Sequence, residues 1–208
     1  MVLQIITGVI AGAIVASGEY ANVEPPRSAE IETAVFTREE QGEPENAQET
    51  PYIAGIWERD EELELRYFAV PLSYDLQRHI WNTAIQFGID PLLVYAIIEE
   101  ESLFRANAVS KTNDYGLMQI NAINSDWLLS HYGITDLLSP YQNVIAGCAI
   151  LKWTKQFTDG SLDMLLLYYG CGVGRGRELW AQGVKRLTFG DRMIEILEKY
   201  RNGERDER

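Results

Sequence analysis

The chain has 208 residues, 46% of them apolar, enough for one sizeable domain with additional segments. Its formal charge of −13 is uneven: residues 1–70 hold 14 Asp and Glu against 4 Lys and Arg, whereas residues 71–208 hold 17 against 14. Neither part has the basic excess that nucleic-acid binding demands. The two cysteines, Cys148 and Cys171, are too few for a disulfide framework and lack the spacing of a metal site. They read either as one bridge in an exported protein or as two small buried thiols.

Residues 1–18 carry no charged side chain, and Val2 to Ala16 is apolar apart from Gln4 and Thr7. That length suits the apolar region of a signal peptide, with Ala16, Ser17 and Gly18 as a cleavage site. The missing Lys and Arg ahead of it leave a retained, slightly short membrane anchor as the other reading, since a full span needs about 20 residues. Residues 19–50 are rich in Glu, Pro, Gln and Asn and poor in large apolar side chains. Such a composition cannot offset its ordering entropy and reads as an acidic flexible linker. Residues 51–70 regain Tyr52, Trp57, Tyr67 and Phe68, and Glu62 to Arg66 alternates polar with apolar. This stretch reads as a short strand or as an arm packed on the domain.

From Pro71 onward the pattern is helical. Ser73 caps a helix to Phe87, stopped by Gly88. Asp90 caps the next, with Pro91 at its first position, running to about Ser102. Residues 105–114 are loop-like. A short helix from Asn124 or Ser125 ends at Gly133. Ser139-Pro140-Tyr141-Gln142 reads as a capping box opening a helix to about Phe157. Ser161 opens a helix to Gly170. Gly170, Gly172, Gly174 and Gly176 then read as a glycine-rich turn, followed by helices at Arg177 to Gln182 and Phe189 to Arg201. Strand signals are nearly absent, so the fold class is mainly α, with the globular domain at residues 71–203.

The chemistry concentrates at residues 90–121. Pro91 to Ile98 is apolar all round, the pattern of a buried helix. It ends in three carboxylates, Glu99, Glu100 and Glu101. Negative charge opposes the dipole at a helix C-terminus, so stability alone does not put it there. Apolar surroundings and mutual repulsion raise a carboxyl pKa, and an acid still protonated near neutral pH can protonate a leaving-group oxygen. The other reading is three solvated surface glutamates. Periodicity does not choose among the three, because the helix has no polar face.

Glu101-Ser102-Leu103-Phe104, Asn107-Ala108-Val109-Ser110 and Gly116-Leu117-Met118-Gln119 together resemble the core signature of the lytic transglycosylases, relatives of goose-type lysozyme. Asn143 to Gly147 with Leu151, and Tyr169 to Gly174, resemble that family's next blocks. The resemblance covers roughly residues 73–200. It implies a lysozyme-like helical domain with a catalytic cleft, acting on peptidoglycan glycan strands without a metal or cofactor. It makes Glu101 the catalytic acid and Ser102 an assistant at the substrate. Met118, Gln119 and Asn121 would line the sugar groove, Gly116 would allow close backbone approach, and Tyr169 would face Glu101. Met118 and Tyr169 also read as ordinary packing residues, whereas a buried Gln119 needs several partners. One departure stands out: the family's third block has Asn and Ala where this chain has Gly170 and Cys171.

The resemblance implies cleavage of the β-1,4 bond between N-acetylmuramic acid and N-acetylglucosamine, with a 1,6-anhydro product. Asp114 supplies an alternative. Asp114 to Asn121 is also similar to the equivalent stretch of chicken-type lysozyme, in which that Asp is a second carboxylate. Paired with Glu101 it would make a hydrolase; otherwise it is a turn residue of the loop. A non-catalytic glycan-binding module is the third reading. The expected setting is extracytoplasmic, with a monomeric domain secreted or held at the outer face of the cytoplasmic membrane by residues 1–18. Compatible roles are wall remodelling, spore-related lysis, assembly of a secretion or conjugation system, and phage entry.

Overall fold

Ser73 begins the first helix as its pattern requires: its hydroxyl accepts from Leu76 N–H, and Gly88, at φ 68°, closes the last turn. The computed structural model describes residues 64–205. The apolar segment at 1–18, the linker at 19–50 and the arm up to residue 63 lie outside the described residues. Leu65 to Arg205 belongs to one compact unit.

The helices are α1 (Tyr74–Phe87), α2 (Pro91–Ser102), α3 (Ser125–Tyr132), α4 (Pro140–Lys155), α5 (Leu162–Cys171), α6 (Val173–Ala181) and α7 (Thr188–Arg201). Two strands of two residues each, β1 (Asp114–Tyr115) and β2 (Ile120–Asn121), pair antiparallel, with Asp114 opposite Asn121 and Tyr115 opposite Ile120. A 3-10 turn at Ala122–Asn124 leads into α3.

α2 is the axis of the core. Asp90 accepts from Leu92 N–H and Pro91 sits in the first turn, so the helix starts where the chain's own capping chemistry puts it. Val94 to Ile98 are 0% exposed, which an all-round apolar helix demands. α2 packs on α1 and α7, while α1 also meets α4 and α5 meets α4, α6 and α7.

Phe68 of the arm is fully buried among Trp81, Tyr95 and Tyr200. The buried Gln77 amide fastens it: Gln77 Oε1 accepts from Phe68 N–H at 2.9 Å, and its Nε2 donates to Phe68 O and Leu72 O, each at 3.2 Å. Residues 64–66 form no strand.

Two local expectations are corrected. Ser139 precedes α4 without a side-chain cap bond. Gln142 instead turns its Oε1 to the N–H groups of Thr135 and Asp136, at 2.8 and 3.1 Å, serving the preceding turn. The glycine-rich stretch is not one long turn either. Gly172, at φ 80°, separates α5 from α6, whereas Gly174 and Gly176 lie inside α6. Gly176 is small because the Tyr168 ring packs there; a Cβ would sit 2.3 Å from Tyr168 Cδ1. Cys148 and Cys171 are both free thiols. No helix among the described residues is long and apolar enough to cross a membrane.

Candidate active site

The three carboxylates at the end of α2 have different fates. Glu99 accepts from the Tyr200 hydroxyl at 2.9 Å and is paired with Arg205. Glu100 is paired with Arg192, whose Nε and Nη2 lie 2.6 and 2.5 Å from its Oε1. Glu101 is 8% exposed, and its Oε2 is shielded without a hydrogen-bond partner among the described residues. Burial first, then the charges of Asp114 and Glu100, push its carboxyl well above the ordinary glutamate range. The burial of Glu101 favours the protonated form that a general acid needs.

Asp114 is fully buried on β1, and its carboxylate accepts from three side chains. Ser110 Oγ donates to Oδ2 at 2.5 Å, Thr112 Oγ1 donates to the same oxygen, and Asn121 Nδ2 donates to Oδ1 at 2.8 Å. Its own N–H donates to Ser110 Oγ at 3.1 Å. Asp114 therefore ties the loop to the hairpin, as Asp does in turns.

The hairpin turn is held by Asn143 of α4. Asn143 Oδ1 accepts from Met118 N–H at 2.8 Å, while Nδ2 donates to Tyr115 O at 2.7 Å and Leu137 O at 2.8 Å. Gly116, at φ 74°, leaves room for that amide. Gln119 has φ 46° and donates its Nε2 to Gly116 O at 2.8 Å and Ala108 O at 3.3 Å. The Tyr169 hydroxyl donates to Met118 O at 3.2 Å. Burial, reinforced by Glu101, pushes that phenol well above its ordinary range, so it stays a donor.

Beside Glu101 opens a small pocket. Gln119, Ile120, Asn121 and Asn124 line it from the hairpin side, Ile150, Trp153 and Thr154 from α4, and Tyr168, Tyr169 and Val173 from α5 and the start of α6. The structure thus brings Glu101, Gln119, Asn121 and Tyr169 together at one cavity. Ser102, Gly116 and Met118 are placed otherwise. The Ser102 hydroxyl donates to Ile98 O at 3.1 Å, back into its own helix. The close approach at Gly116 is to Asn143 and Leu137 O rather than to open space. Met118 is 0% exposed, and its sulfur rests on Gly147. Each is a packing residue that shapes the wall from behind.

Trp153, Thr154 and Tyr168 are pocket residues that sequence reasoning did not single out. Their signal was weak, because an aromatic on a helix reads first as core. Trp153 Nε1 is buried and unpartnered among the described residues. At the departure in the third block, a Cβ on Gly170 would lie 3.0 and 3.1 Å from Cδ1 and Cε1 of Phe189. The ring of Phe189 occupies the place a side chain at 170 would need. Among the described residues no group of three or more His, Cys, Asp and Glu could hold a metal ion.

Comparison with known proteins bears on the family and the fold. Residues 79–187 match the family model of the transglycosylase SLT domain. A transglycosylase of Enterobacteria phage PRD1 is 26% identical over 121 residues, 56% of this chain and 42% of that protein. An inactive mutant of lytic transglycosylase Slt from Pseudomonas aeruginosa superimposes with a TM-score of 0.53 at 19% identity, covering 64% of this chain and 24% of that one. The 70-kDa soluble lytic transglycosylase in complex with bulgecin A matches with the same TM-score and identity, over 64% of this chain and 25% of that one. The chain therefore spans well under half the length of these relatives, and the solved structures show its fold to be lysozyme-like and helical. With more than half of its residues inside the family match, the chain belongs to the transglycosylase SLT domain family.

Proposed function

We propose that the protein is a peptidoglycan lytic transglycosylase that uses Glu101 as its single acid and base. The carrying observation is that, of the carboxylates at the end of α2 and on β1, Glu101 has an oxygen buried beside the pocket without a hydrogen-bond partner among the described residues, while the nearby Asp114 has its oxygens taken by Ser110, Thr112 and Asn121. Glu101 donates its proton to the glycosidic oxygen between N-acetylmuramic acid and N-acetylglucosamine, and the C1–O bond breaks. The acetamido group of the muramoyl residue supports the cationic centre. The C6 hydroxyl of the same sugar then bonds to C1, and the Glu101 carboxylate takes its proton. The acid is regenerated, no water is consumed, and the product carries a 1,6-anhydro end. General acid–base help of this kind contributes about 10²–10⁴ in rate.

The burial of Asp114 near Glu101 keeps a hydrolase with two carboxylates as the competing reading. Mass spectrometry of muropeptides released from purified peptidoglycan separates the two, with wild type, Glu101→Gln and Asp114→Asn compared. Anhydro products lost in Glu101→Gln and kept in Asp114→Asn support the transglycosylase. Reducing-end products lost in both variants make it a lysozyme, and no product from wild type leaves a glycan-binding module. We place the enzyme outside the cytoplasm as a monomer, with residues 1–18 as signal or anchor and the acidic linker giving reach to the wall.

A further inference from the structure

The three adjacent glutamates differ in their partners, and those partners come from the C-terminal end of the chain. Arg192 on α7 lies against Glu100, with the arginine side chain 48% exposed and the glutamate side chain 12% exposed. Arg205 and Tyr200 hold Glu99 in the same way. Glu101, next to Glu100 on the chain, has its buried Oε2 without a hydrogen-bond partner among the described residues. The other groups facing this end of α2 are Asp114 of β1, Tyr168 and Tyr169 of α5, Cys148 of α4, and Arg105, whose guanidinium donates to Ser102 O. Tyr169 and Cys148 are both pushed upward by burial and stay uncharged, and Asp114 accepts hydrogen bonds from Ser110, Thr112 and Asn121. Among the groups that act on Glu101, Glu100 is therefore one whose charge is set by a single, partly exposed partner on another helix.

We propose that Arg192 is a positioning residue which, by neutralising Glu100, sets the pH range over which Glu101 keeps its proton. This rests on the reading of Glu101 as the acid. A carboxylate on the adjacent residue, left alone, favours the protonated form of Glu101; the same carboxylate capped by a guanidinium acts as a near-neutral dipole. Arg192 does not touch substrate in this scheme. Its effect reaches the reacting atoms through Glu100.

The two halves of the pair should then act in opposite directions. In full-length Arg192→Gln, the bare Glu100 holds the proton on Glu101, and the alkaline limb of the lytic pH profile moves up by about 0.5–1 pH unit. In Glu100→Gln, the uncompensated Arg192 moves it down by a similar amount. The double variant returns to the wild-type limb. A carbon-13 carboxyl titration of Glu101, assigned with Glu101→Gln, reads the same shifts without any turnover. Opposite shifts that cancel in the double variant support the proposal. A limb and a titration that stay put, or that move the same way in both single variants, overturn it. Full lytic activity in Glu101→Gln would instead remove the reading of Glu101 as the acid, while the titration would still report the coupling to Arg192.

Discussion

Gly116 and Asn143 touch across the hairpin so closely that a Cβ on Gly116 would lie 2.5 Å from Asn143 Nδ2 and 2.7 Å from Leu137 O. The buried amide thereby satisfies three backbone groups of the β1–β2 region and its neighbour, and fixes the turn whose far end carries Gln119. Asn143→Leu would leave those groups buried and unpaired. A loss of about 2–4 kcal/mol in urea unfolding is expected, since each unmet buried group costs about 1–3 kcal/mol. Gly116→Ala should be as damaging, because it adds a positive-φ penalty to overpacking against backbone. Stability within about 0.5 kcal/mol of wild type in both variants would contradict this picture.

Glu101 makes stability depend on pH. Its folded-state pKa is raised above the ordinary value of 4.5, so the folded protein binds more protons than the unfolded chain in the interval between the two. Stability should therefore fall as pH rises from about 4.5 towards the folded-state pKa. Glu101→Gln should remove that slope, retain or gain stability at neutral pH, and lower lytic turnover by about 10² or more. The checks are unfolding midpoints at several pH values and muropeptide release.

Asp114→Asn replaces an acceptor-only carboxylate with an amide whose Nδ2 cannot accept from Ser110, Thr112 or Asn121. A loss of about 1–3 kcal/mol is expected from thermal or urea unfolding. The anhydro product should persist, at a rate reduced several-fold at most. Loss of all cleavage with stability intact would mean that Asp114 has a chemical role.

Phe68 ties residues 64–70 to the core through Trp81, Tyr95 and Tyr200. Phe68→Ala should cost about 3–5 kcal/mol, the range for a large buried aromatic. An unchanged unfolding midpoint would show that the arm does not contribute to the fold.

Gly170→Asn would introduce the residue that the motif resemblance implies at this place, and here its Cβ would lie 3.0 and 3.1 Å from the Phe189 ring, closer than ordinary van der Waals contact. A loss of about 1–3 kcal/mol is expected from overpacking. Gly170→Asn combined with Phe189→Ala should be more stable than the sum of the single changes implies, because the two side chains compete for one space. Simple additivity in a double-mutant cycle would contradict the competition.

Local chemistry was legible along the chain. Ser73, Asp90 with Pro91, and Ser161 each start a helix because a short side-chain oxygen there meets a free N–H, whatever the rest of the fold does. The buried α2 was legible for the same kind of reason: an all-round apolar helix has no face to give to water. The motif blocks pointed to residues 101–121 and 169. Gly174 and Gly176 read as turn residues because the demand that makes Gly176 small comes from Tyr168, a partner across space. Ser102, Gly116 and Met118 looked like groove residues for a related reason, since sequence spacing does not show which side of a wall a side chain occupies.

Composition and periodicity do not choose among Glu99, Glu100 and Glu101; the motif resemblance pointed to Glu101, and only the tertiary structure supplies a physical difference between the three. The three are chemically identical and consecutive, so nothing local distinguishes them. Arg205 with Tyr200, and Arg192, arrive from about 90 to 106 residues away along the chain and neutralise the first two. The pocket and the hairpin bury the third. A carboxyl group's proton affinity is set by solvent and by charges within several ångströms, and those are supplied by the packing of distant segments.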